Sequence, residues 1–396
     1  MTEAEPVRLR RDFVQNPHEL YRRLRSAGPA HQVVMWGGVR AWLITRYEEA
    51  RALLADPRLL KDHARALALF PPGLAGPHGS RLDAHMLNSD PPDHTRLRRL
   101  VTKAFTSRAV AGLRPRIEVT VDRLLDQLPV GRTVDLIESF ALPLPITVIS
   151  ALLGVPDADR DRFAAWTKPF ITTAEPAEIE QAEQDTSEYL TALVAAKRAE
   201  PGDDVLSALV LASEDGDRLS PTELLAMAFL LILAGFETTV NLIGNGVHAL
   251  VRSPAQLAAL RADPALLPAA VEEFLRFESP LNMATNRFTD APVPVGDVTI
   301  PAGEFVMIAL LAANHDETRF AAPDELDITR EPNAHLAFGH GIHYCLGAPL
   351  ARLEGEIAFG KLLSRFSSIT LADDQLTYRS STLMRGLQAL PVRLRA

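Results

Sequence analysis

The sequence predicts a mainly α-helical protein with a small β-rich region. Three observations favour this class: apolar residues recur at helical spacing along most of the chain, strand patterns are few and short, and the composition suits a large core. Of the 396 residues, 47% are hydrophobic and 23% charged. No internal repeat or low-complexity linker divides the chain. We therefore expect one domain over residues 1–396, with residues 1–11 as a flexible N-terminal tail.

Helices are predicted wherever helix-forming residues dominate and apolar residues follow the helical period. The predicted helices cover residues 46–55, 114–127, 182–199, 220–251, 255–261, 265–277 and 348–365. The longest begins with Ser220 as N-cap, Pro221 at the first helical position and Glu223 at the third. This signature indicates a well-defined start for a long apolar helix.

Two β-hairpins account for the strand signals. The first pairs residues 33–36 with 39–44 across Gly37-Gly38, and the second pairs residues 298–300 with 305–308 across Pro301-Ala302-Gly303. The β-rich region is therefore expected to be small.

The charge distribution excludes some partners and suggests others. The net charge of −9 argues against nucleic acid. Residues 96–116 nevertheless carry seven basic residues and no acidic one, and residues 175–188 carry six acidic residues and no basic one. Either run can be a solvated helix face, but the basic run in an acidic chain is the better candidate for an interaction surface.

Cys345 is the only cysteine. This count excludes an intrachain disulfide, a four-cysteine iron–sulfur cluster, a cysteine-rich zinc site and a c-type haem attachment. The N-terminus lacks the pattern of a signal peptide, and the longest apolar run, residues 224–236, is too short to span a bilayer. We expect a cytoplasmic protein with no membrane association.

The segment around Cys345 is the most informative in the chain. A lone intracellular cysteine is usually a small buried hydrophobe. Here, however, Gly339, Gly341 and Gly347 fall within nine residues, which indicates tight turns or close backbone approach. A helical pattern follows at once. Cys345 would thus precede a helix N-terminus, whose N–H groups favour the thiolate that ligates metal or acts as a nucleophile.

Residues 338–347 resemble the haem-binding loop of the cytochrome P-450 family, F-x-x-G-x-H-x-C-x-G, at every fixed position. The resemblance spans residues 12–392. It implies a triangular helical prism with a small β-rich region and haem b between the long central helix and the helix after the cysteine loop. Phe338 and Gly347 would be cofactor-binding residues of this loop, and Cys345 would be the proximal ligand of the iron. An anionic thiolate there favours O–O cleavage.

Residues 234–238 resemble the oxygen-activating A-G-x-E-T motif of the same family. The resemblance implies that Thr238 holds water or bound oxygen through its hydroxyl and that Glu237 relays protons from solvent. Helix packing alone would explain a glycine and threonines in this run equally well. The intact acid–alcohol pair implies a monooxygenase, because family branches that use peroxide or isomerise substrates often lack one member.

Further motifs resemble the family's haem-propionate and structural contacts. In D-P-P-x-H-T-x-x-R, His94 and Arg98 lie one turn apart and would bind a propionate, although alone they could be a surface pair. Arg287 and His343 match two further propionate contacts, which would be charge-assisted hydrogen bonds. The resemblance also implies a structural network that supports the cysteine loop, made of Glu273, Arg276 and Arg330.

The chain lacks the G-x-G-x-x-G motif of a flavin or nicotinamide site. Electrons are therefore expected from NAD(P)H through a ferredoxin reductase and a ferredoxin, with the basic run docking an acidic ferredoxin. The resemblance implies a monomer that inserts one atom of O₂ into a C–H or C=C bond. The substrate would be a bulky apolar small molecule, such as a macrolide, polyketide or other secondary metabolite.

The expected substrate pocket is apolar and rich in methionine, which suits an adaptable, oily ligand, although core packing would give the same residues. The candidate pocket residues are Leu82, Met86, Leu87, Leu230, Leu233, Ala234, Met283, Ala284, Leu383 and Met384. The acidic run falls where the family's mobile lid lies and would suit a cationic group on the substrate. A peroxide-driven oxygenase and a non-catalytic haem protein that binds ligands stay open as alternatives.

Overall fold

The computed structural model describes residues 5–35, 38–70, 82–167, 169, 176–214 and 217–396. The chain divides into two compact units, each built from three separate segments. Unit 1 comprises Met1–Gly79, Asn245–Cys345 and Thr377–Gln388, and unit 2 comprises Ser80–Gly244, Leu346–Leu376 and Ala389–Ala396. The single domain over residues 1–396 stays a prediction.

Helices make up most of the described chain. They are α1 Pro17–Ala27, α2 Tyr47–Leu54, α3 His63–Leu67, α4 Asp93–Ala104, α5 Ser107–Gly112, α6 Arg114–Asp126, α7 Pro143–Leu152, α8 Arg160–Thr167, α9 Pro176–Ala199, α10 Val205–Leu211, α11 Pro221–Arg252, α12 Pro254–Ala262, α13 Leu267–Phe277, α14 Leu310–Ala313 and α15 Ala348–Arg365. All seven predicted helices are present.

The strands are short. They are β1 Val7–Arg8, β2 Ala30–Val34, β3 Arg40–Ile44, β4 Leu59–Leu60, β5 Thr133–Asp135, β6 Ser213–Glu214, β7 Asp217–Arg218, β8 Arg287–Thr289, β9 Val293–Val295, β10 Val298–Ile300, β11 Phe305–Ile308, β12 Ser368–Leu371 and β13 Pro391–Arg395. The mainly helical class with a small β region is confirmed.

Unit 1 contains the main sheet, whose strand order is β1-β2-β3-β11-β8-β4. Buried aliphatic and aromatic residues such as Ile44, Val306 and Ile308 form the core of the sheet. The first predicted hairpin is confirmed by the antiparallel pairing of β2 with β3, although residues 36–37 of its loop lie outside the described residues.

The second predicted hairpin is wrong. β10 pairs with β9 across a two-residue turn in which Gly296 has a φ of +58°, while β11 pairs with β3 and β8. The tight Gly296-Asp297 turn gives β10 a nearer partner than β11. The predicted tail is also too long, because Val7–Arg8 pair with β2 and Leu9 is buried. Residues 1–4 of the tail lie outside the described residues.

Unit 2 is built from α4 to α10, the first part of α11, and α15, with two small sheets. The predicted start of α11 is confirmed, because Ser220 Oγ accepts the Glu223 N–H at 3.2 Å and Glu223 Oε2 accepts the Ser220 N–H at 2.8 Å. Among the described residues α11 alone is long and apolar enough to cross a membrane, but 72% of its most apolar window is buried. It is the core helix of this unit.

Candidate functional site

The loop that carries Cys345 lies in unit 1 and is closed by its own backbone. The Cys345 N–H donates to the Phe338 carbonyl at 3.0 Å, and residues 341–343 form a single helical turn between them. Gly341 has a φ of +75°, and a Cβ there would lie 2.8 Å from the Leu54 carbonyl oxygen. Glycine is therefore required at residue 341 by both conformation and space. Cys345 is a partly exposed residue at the end of this closed loop.

The three residues predicted as a structural network lie together in unit 1. Arg276 makes two hydrogen bonds of 2.8 Å to the Glu273 carboxylate, and Arg330 Nε lies 3.1 Å from Glu273 Oε2. Glu273 and Arg276 are both fully buried. Arg276 also donates to the carbonyl of Asn314, whose side chain accepts the Leu336 N–H at 2.7 Å. The network thus holds the backbone that leads into the cysteine loop.

Sequence reasoning missed two further groups of this network. The Asn333 amide donates to Glu273 Oε2 at 3.1 Å, and the Asp327 N–H donates to Glu273 Oε1 at 2.9 Å. Neither has a local sequence signal, because both contacts join residues more than fifty positions apart. The buried carboxylate of Glu273 therefore has more hydrogen-bond donors than the sequence predicts.

Glu237 and Thr238 lie in the middle of α11 in unit 2. Glu237 is buried, whereas Thr238 is partly exposed and its hydroxyl donates to the Ala234 carbonyl at 3.1 Å. Ala234 is exposed, although residues 224–232 and 239–247 on either side are buried. One short strip of a core helix is thus accessible, and it carries the acid–alcohol pair.

Two glycines of α11 let α7 and the segment just before α7 approach it closely. A Cβ at Gly235 would lie 2.7 Å from Ile149 Cδ1. A Cβ at Gly244 would lie 2.5 Å from the Cδ1 of Ile137, which is just before α7. Gly235 therefore packs against a neighbouring helix, as the structural explanation of this motif predicted. The same helix also carries the exposed strip.

Thr239, next to Thr238, makes a contact that sequence reasoning did not predict. Its hydroxyl donates to Glu354 Oε2 of α15 at 3.3 Å, and both side chains are buried. Burial raises the pKa of Glu354 to about 8, opposed by the hydrogen bond from Thr239. One sequence signal could have identified Glu354: it shares the apolar face of α15 with Leu350, Leu353 and Ile357.

The predicted propionate ligands are divided between the units. In unit 2, His94 and Arg98 lie one turn apart on α4, with His94 buried and Arg98 partly exposed. In unit 1, Arg287 is buried on β8 and His343 is partly exposed in the turn before Cys345. Each unit therefore contains one histidine and one arginine of the predicted set.

The candidate substrate-pocket residues also lie partly in unit 1 and partly in unit 2. In unit 1, the Asn282 N–H donates to the Leu383 carbonyl at 2.8 Å, and Leu281 forms a bridge with Met384. Leu383, Met384 and Ala284 are partly exposed. Met283 differs from them, because it has no exposed surface and packs in the core of the main sheet.

In unit 2 the pocket candidates lie on α11 and just before α4. Leu82, Met86 and Leu230 are buried, whereas Leu87 and Leu233 are partly exposed. Leu230 and Ala234 are one turn apart on α11, so their side chains follow the same face as Thr238. The accessible strip of α11 is therefore apolar except for the threonine.

The two charge runs are largely helical. In the basic run, Arg96 pairs with Glu223 at the start of α11, and Arg114 pairs with Glu118. In the acidic run, Glu180 and Asp185 lie on α9, while Glu175 lies outside the described residues. Within this run, the side-chain amide of Gln181 donates to Asp185 Oδ1 at 2.9 Å.

A cysteine at the end of a glycine-shaped loop and an acid–alcohol pair on a long apolar helix together describe a haem-thiolate oxygenase. A family model described as "Cytochrome P450" matches residues 137–394. Cytochrome P450 107B1 of Saccharopolyspora erythraea is 55% identical over an alignment of 388 residues, which covers 96% of this chain and 96% of its own. The vitamin D(3) 25-hydroxylase of Pseudonocardia autotrophica is 48% identical over 96% of this chain and 94% of its own.

The structure of the tirandamycin C-bound P450 monooxygenase TamI matches with a TM-score of 0.92 and 51% identity, covering 98% of this chain and all of TamI. The chain belongs to the cytochrome P450 family. It is a P450 monooxygenase, and the family implies a haem-iron cofactor with a cysteine thiolate ligand, a small-molecule substrate, O₂ and redox partners. The resemblance inferred from the motifs is confirmed.

The residues present fit a haem group. Cys345 is a partly exposed residue, and its thiolate is the ligand type that this cofactor class takes. His94, Arg98, Arg287 and His343 are hydrogen-bond donors of the kind that suits a group with two carboxylates. The exposed strip of α11, next to buried turns on either side, gives an accessible helix surface of the kind that a planar ring and a substrate need.

Proposed function

We propose that this P450 oxidises a bulky, mostly apolar secondary metabolite, such as a macrolide or another polyketide, by inserting one oxygen atom into a C–H or C=C bond. The observation that carries the proposal is the accessible strip of α11, on which Leu233 and Ala234 adjoin the hydroxyl of Thr238. Relatives that bind tirandamycin C and hydroxylate vitamin D(3), by their names, support a large apolar ligand.

The cofactor in this proposal is haem b, with Cys345 as the thiolate ligand of its iron. His94, Arg98, Arg287 and His343 would bind the two propionates. Phe338 and Gly347 would shape the loop around the thiolate. When bound, the haem supplies the iron centre at which O₂ is activated.

The chain's own contribution to oxygen activation would come from α11. The Thr238 hydroxyl, which donates to the Ala234 carbonyl, would hold a water molecule in the accessible strip, and the Glu237 carboxylate would move protons towards it from solvent. The structural roles of Glu273, Arg276 and Arg330 would be to keep the cysteine loop in place.

Thr238→Ala tests the monooxygenase reaction against its alternatives. We expect the variant to consume NAD(P)H but release peroxide instead of product, because the hydroxyl that holds the water receiving protons from Glu237 is gone. Thr191→Ala is the matched control, since Thr191 makes the same hydrogen bond to the carbonyl four residues earlier on α9, at 2.7 Å. Full coupling in Thr238→Ala, or turnover with peroxide alone, would favour the peroxide-driven alternative. No turnover in the wild-type protein would favour a ligand-binding protein.

The proposed electron donor is a ferredoxin, reduced by a ferredoxin reductase, that docks on the basic run of a monomeric, cytoplasmic enzyme. Reversing Arg99 and Lys103 to glutamate should slow reduction by ferredoxin and reduce its salt dependence, with substrate binding unchanged. Reversing the exposed Arg123 and Arg132, outside the run, is the control. A loss of substrate binding, or equal effects of both pairs, would contradict the docking site.

A further inference from the structure

Residues 381–385, which we call the pocket segment, lie in unit 1 and include two of the expected substrate-pocket residues, Leu383 and Met384. The structure describes the whole segment, and it contains no helix. Its pairing with another part of the chain is an isolated bridge between Met384 and Leu281. Individual hydrogen bonds, rather than a strand ladder, therefore set its conformation.

Asn282 holds the pocket segment through both its backbone and its side chain. The Asn282 N–H donates to the Leu383 carbonyl at 2.8 Å, and its Nδ2 donates to the Thr382 carbonyl at 3.0 Å. At the other end of the amide, Oδ1 accepts the hydroxyl of Tyr21 at 2.8 Å. Asn282 is 1% exposed, and Tyr21 has no exposed surface. The Asn282 side chain therefore joins α1 to the pocket segment inside the protein.

The chemistry of the three groups fixes the direction of both side-chain hydrogen bonds. The Thr382 carbonyl can only accept, so the Asn282 amide must turn Nδ2 towards it and Oδ1 towards Tyr21. The Tyr21 hydroxyl must then be the donor. Burial raises the pKa of Tyr21 well above its usual value, so this hydroxyl keeps its proton. One orientation of the amide thus satisfies all three groups.

An apolar residue at position 282 would suit the immediate surroundings better than an amide. Leu281 and Met283 on either side are apolar, and Met283 packs in the core of the main sheet. A buried amide destabilises the fold unless both of its ends are hydrogen-bonded. Tyr21 and Thr382 satisfy both ends of Asn282, so the amide and its two partners form one unit.

The far end of the pocket segment is held separately. Asn245 Nδ2 donates to the Arg385 carbonyl at 2.8 Å, and the Arg385 guanidinium donates to Glu278 Oε2 at 3.0 Å and to the Val14 carbonyl at 2.6 Å. A change at Asn282 should therefore release the Thr382 end while the Arg385 end stays in place. Leu383 and Met384 lie between the two ends.

We propose, on the basis of the proposed function, that Asn282 is a positioning residue for substrate specificity. Its amide ties the backbone at Thr382 to Tyr21 of α1 and so sets where Leu383 and Met384 stand in the substrate pocket. Because Asn282 is almost completely buried, it acts through the backbone of the pocket segment and does not touch the substrate.

Two variants of the haem-loaded protein remove the tie from opposite ends. Asn282→Leu keeps the size of the side chain but removes both hydrogen bonds, and Tyr21→Phe removes the donor alone. Tyr47→Phe is the matched control, because Tyr47 is also buried and its hydroxyl donates to a backbone carbonyl outside the pocket segment, that of Ala334, at 2.5 Å.

The probes are imidazole and 4-phenylimidazole, which both bind haem iron through nitrogen and shift the Soret band. Only the phenyl compound is large enough to need the pocket wall. We expect its Kd to rise about fivefold in Asn282→Leu and Tyr21→Phe, the ratio that one lost hydrogen bond produces. The Kd of imidazole should stay unchanged in both, and the ratio of the two constants should stay unchanged in Tyr47→Phe.

Amide hydrogen exchange gives a readout that does not depend on the haem. The N–H groups of Asn282 and Arg385 donate to the carbonyls of Leu383 and Pro280, both at 2.8 Å. In Asn282→Leu and Tyr21→Phe, exchange at Asn282 or its replacement and at Met384 should be about fivefold faster. Exchange at Arg385, whose end of the segment is held separately, should change less.

The outcomes separate this inference from the proposed function. Unchanged azole ratios in both variants, or an equal change in Tyr47→Phe, would overturn the specificity role. Faster exchange with unchanged azole ratios would make Asn282 a merely structural residue and would also overturn it. If Asn282→Leu does not fold, Tyr21→Phe still decides. A wild type that binds neither azole would instead refute the proposed function, while exchange would still show whether Asn282 holds the segment.

Discussion

Replacing Gly341 with alanine tests how the cysteine loop is built. Two effects act at this position. A φ of +75° costs an L-residue about 1–2 kcal/mol. The new Cβ would also lie 2.8 Å from the Leu54 carbonyl oxygen and 2.9 Å from Ala55 Cα, both backbone atoms that no rotamer change can move.

The size of the effect follows from these two contributions. Backbone shifts that relieve overpacking typically cost about 1–3 kcal/mol, so Gly341→Ala should destabilise the protein by about 2–5 kcal/mol. Gly339 offers a matched control, because its φ is +72° but a Cβ there would have no neighbouring atom within 4 Å. Gly339→Ala should therefore cost only the conformational part, about 1–2 kcal/mol.

The assay is chemical unfolding of the haem-loaded variants, with haem retention followed by the ratio of Soret to protein absorbance. The unfolding midpoint should fall much further in Gly341→Ala than in Gly339→Ala, at unchanged slope. Adding Ala55→Gly should not rescue Gly341→Ala, because the two shortest contacts are to backbone atoms. Equal losses in the two single variants would refute the steric part of the reasoning, and rescue by Ala55→Gly would show that the side chain alone causes the clash.

Two further predictions concern buried charges of unit 1. Arg276→Ala leaves the fully buried Glu273 carboxylate without its main partner. A denaturant titration should show the free energy of unfolding lowered by about 3–5 kcal/mol. Lys361→Ala, which breaks an exposed ion pair, is the control and should lower the free energy of unfolding by less than about 1 kcal/mol. Burial alone would raise the pKa of Glu278, but Arg385 and His18 hold it well below its usual range. The resulting stability is present above the ordinary glutamate pKa and is lost as the pH falls towards the lowered value. Glu278→Gln should therefore reduce the acid sensitivity of the melting temperature, and an unchanged acid profile would contradict this.

Local patterns predicted most of the helices closely. The helix expected over residues 348–365 is Ala348–Arg365, and the Ser220 capping signature fixes the start of α11. Such agreement is expected where the period, the cap and the apolar face all specify the same element. The strands were harder to predict, because pairing depends on contacts far along the chain: β11 lies beside β3, and the sequence alone suggested β10.

In the candidate site, too, contiguous motifs were predictable from the sequence and long-range contacts were not. The cysteine loop and the acid–alcohol pair were found because each is a contiguous motif. Thr239 and Glu354 were missed because their contact joins two distant helices, and Asn333 was missed for the same reason. Met283 is predicted to line the pocket from its place near a motif, and its side chain packs in the hydrophobic core of the sheet. Apolar residues alone do not distinguish a pocket wall from a core.

The CO difference spectrum of the dithionite-reduced protein tests the central claim most directly, that Cys345 binds haem iron as a thiolate. The wild-type protein should give a Soret band shifted far to the red, as only a thiolate opposite CO produces, and Cys345→Ser should lose that shift. An unshifted band in the wild type would contradict thiolate ligation. No band at all would contradict a haem site in this chain.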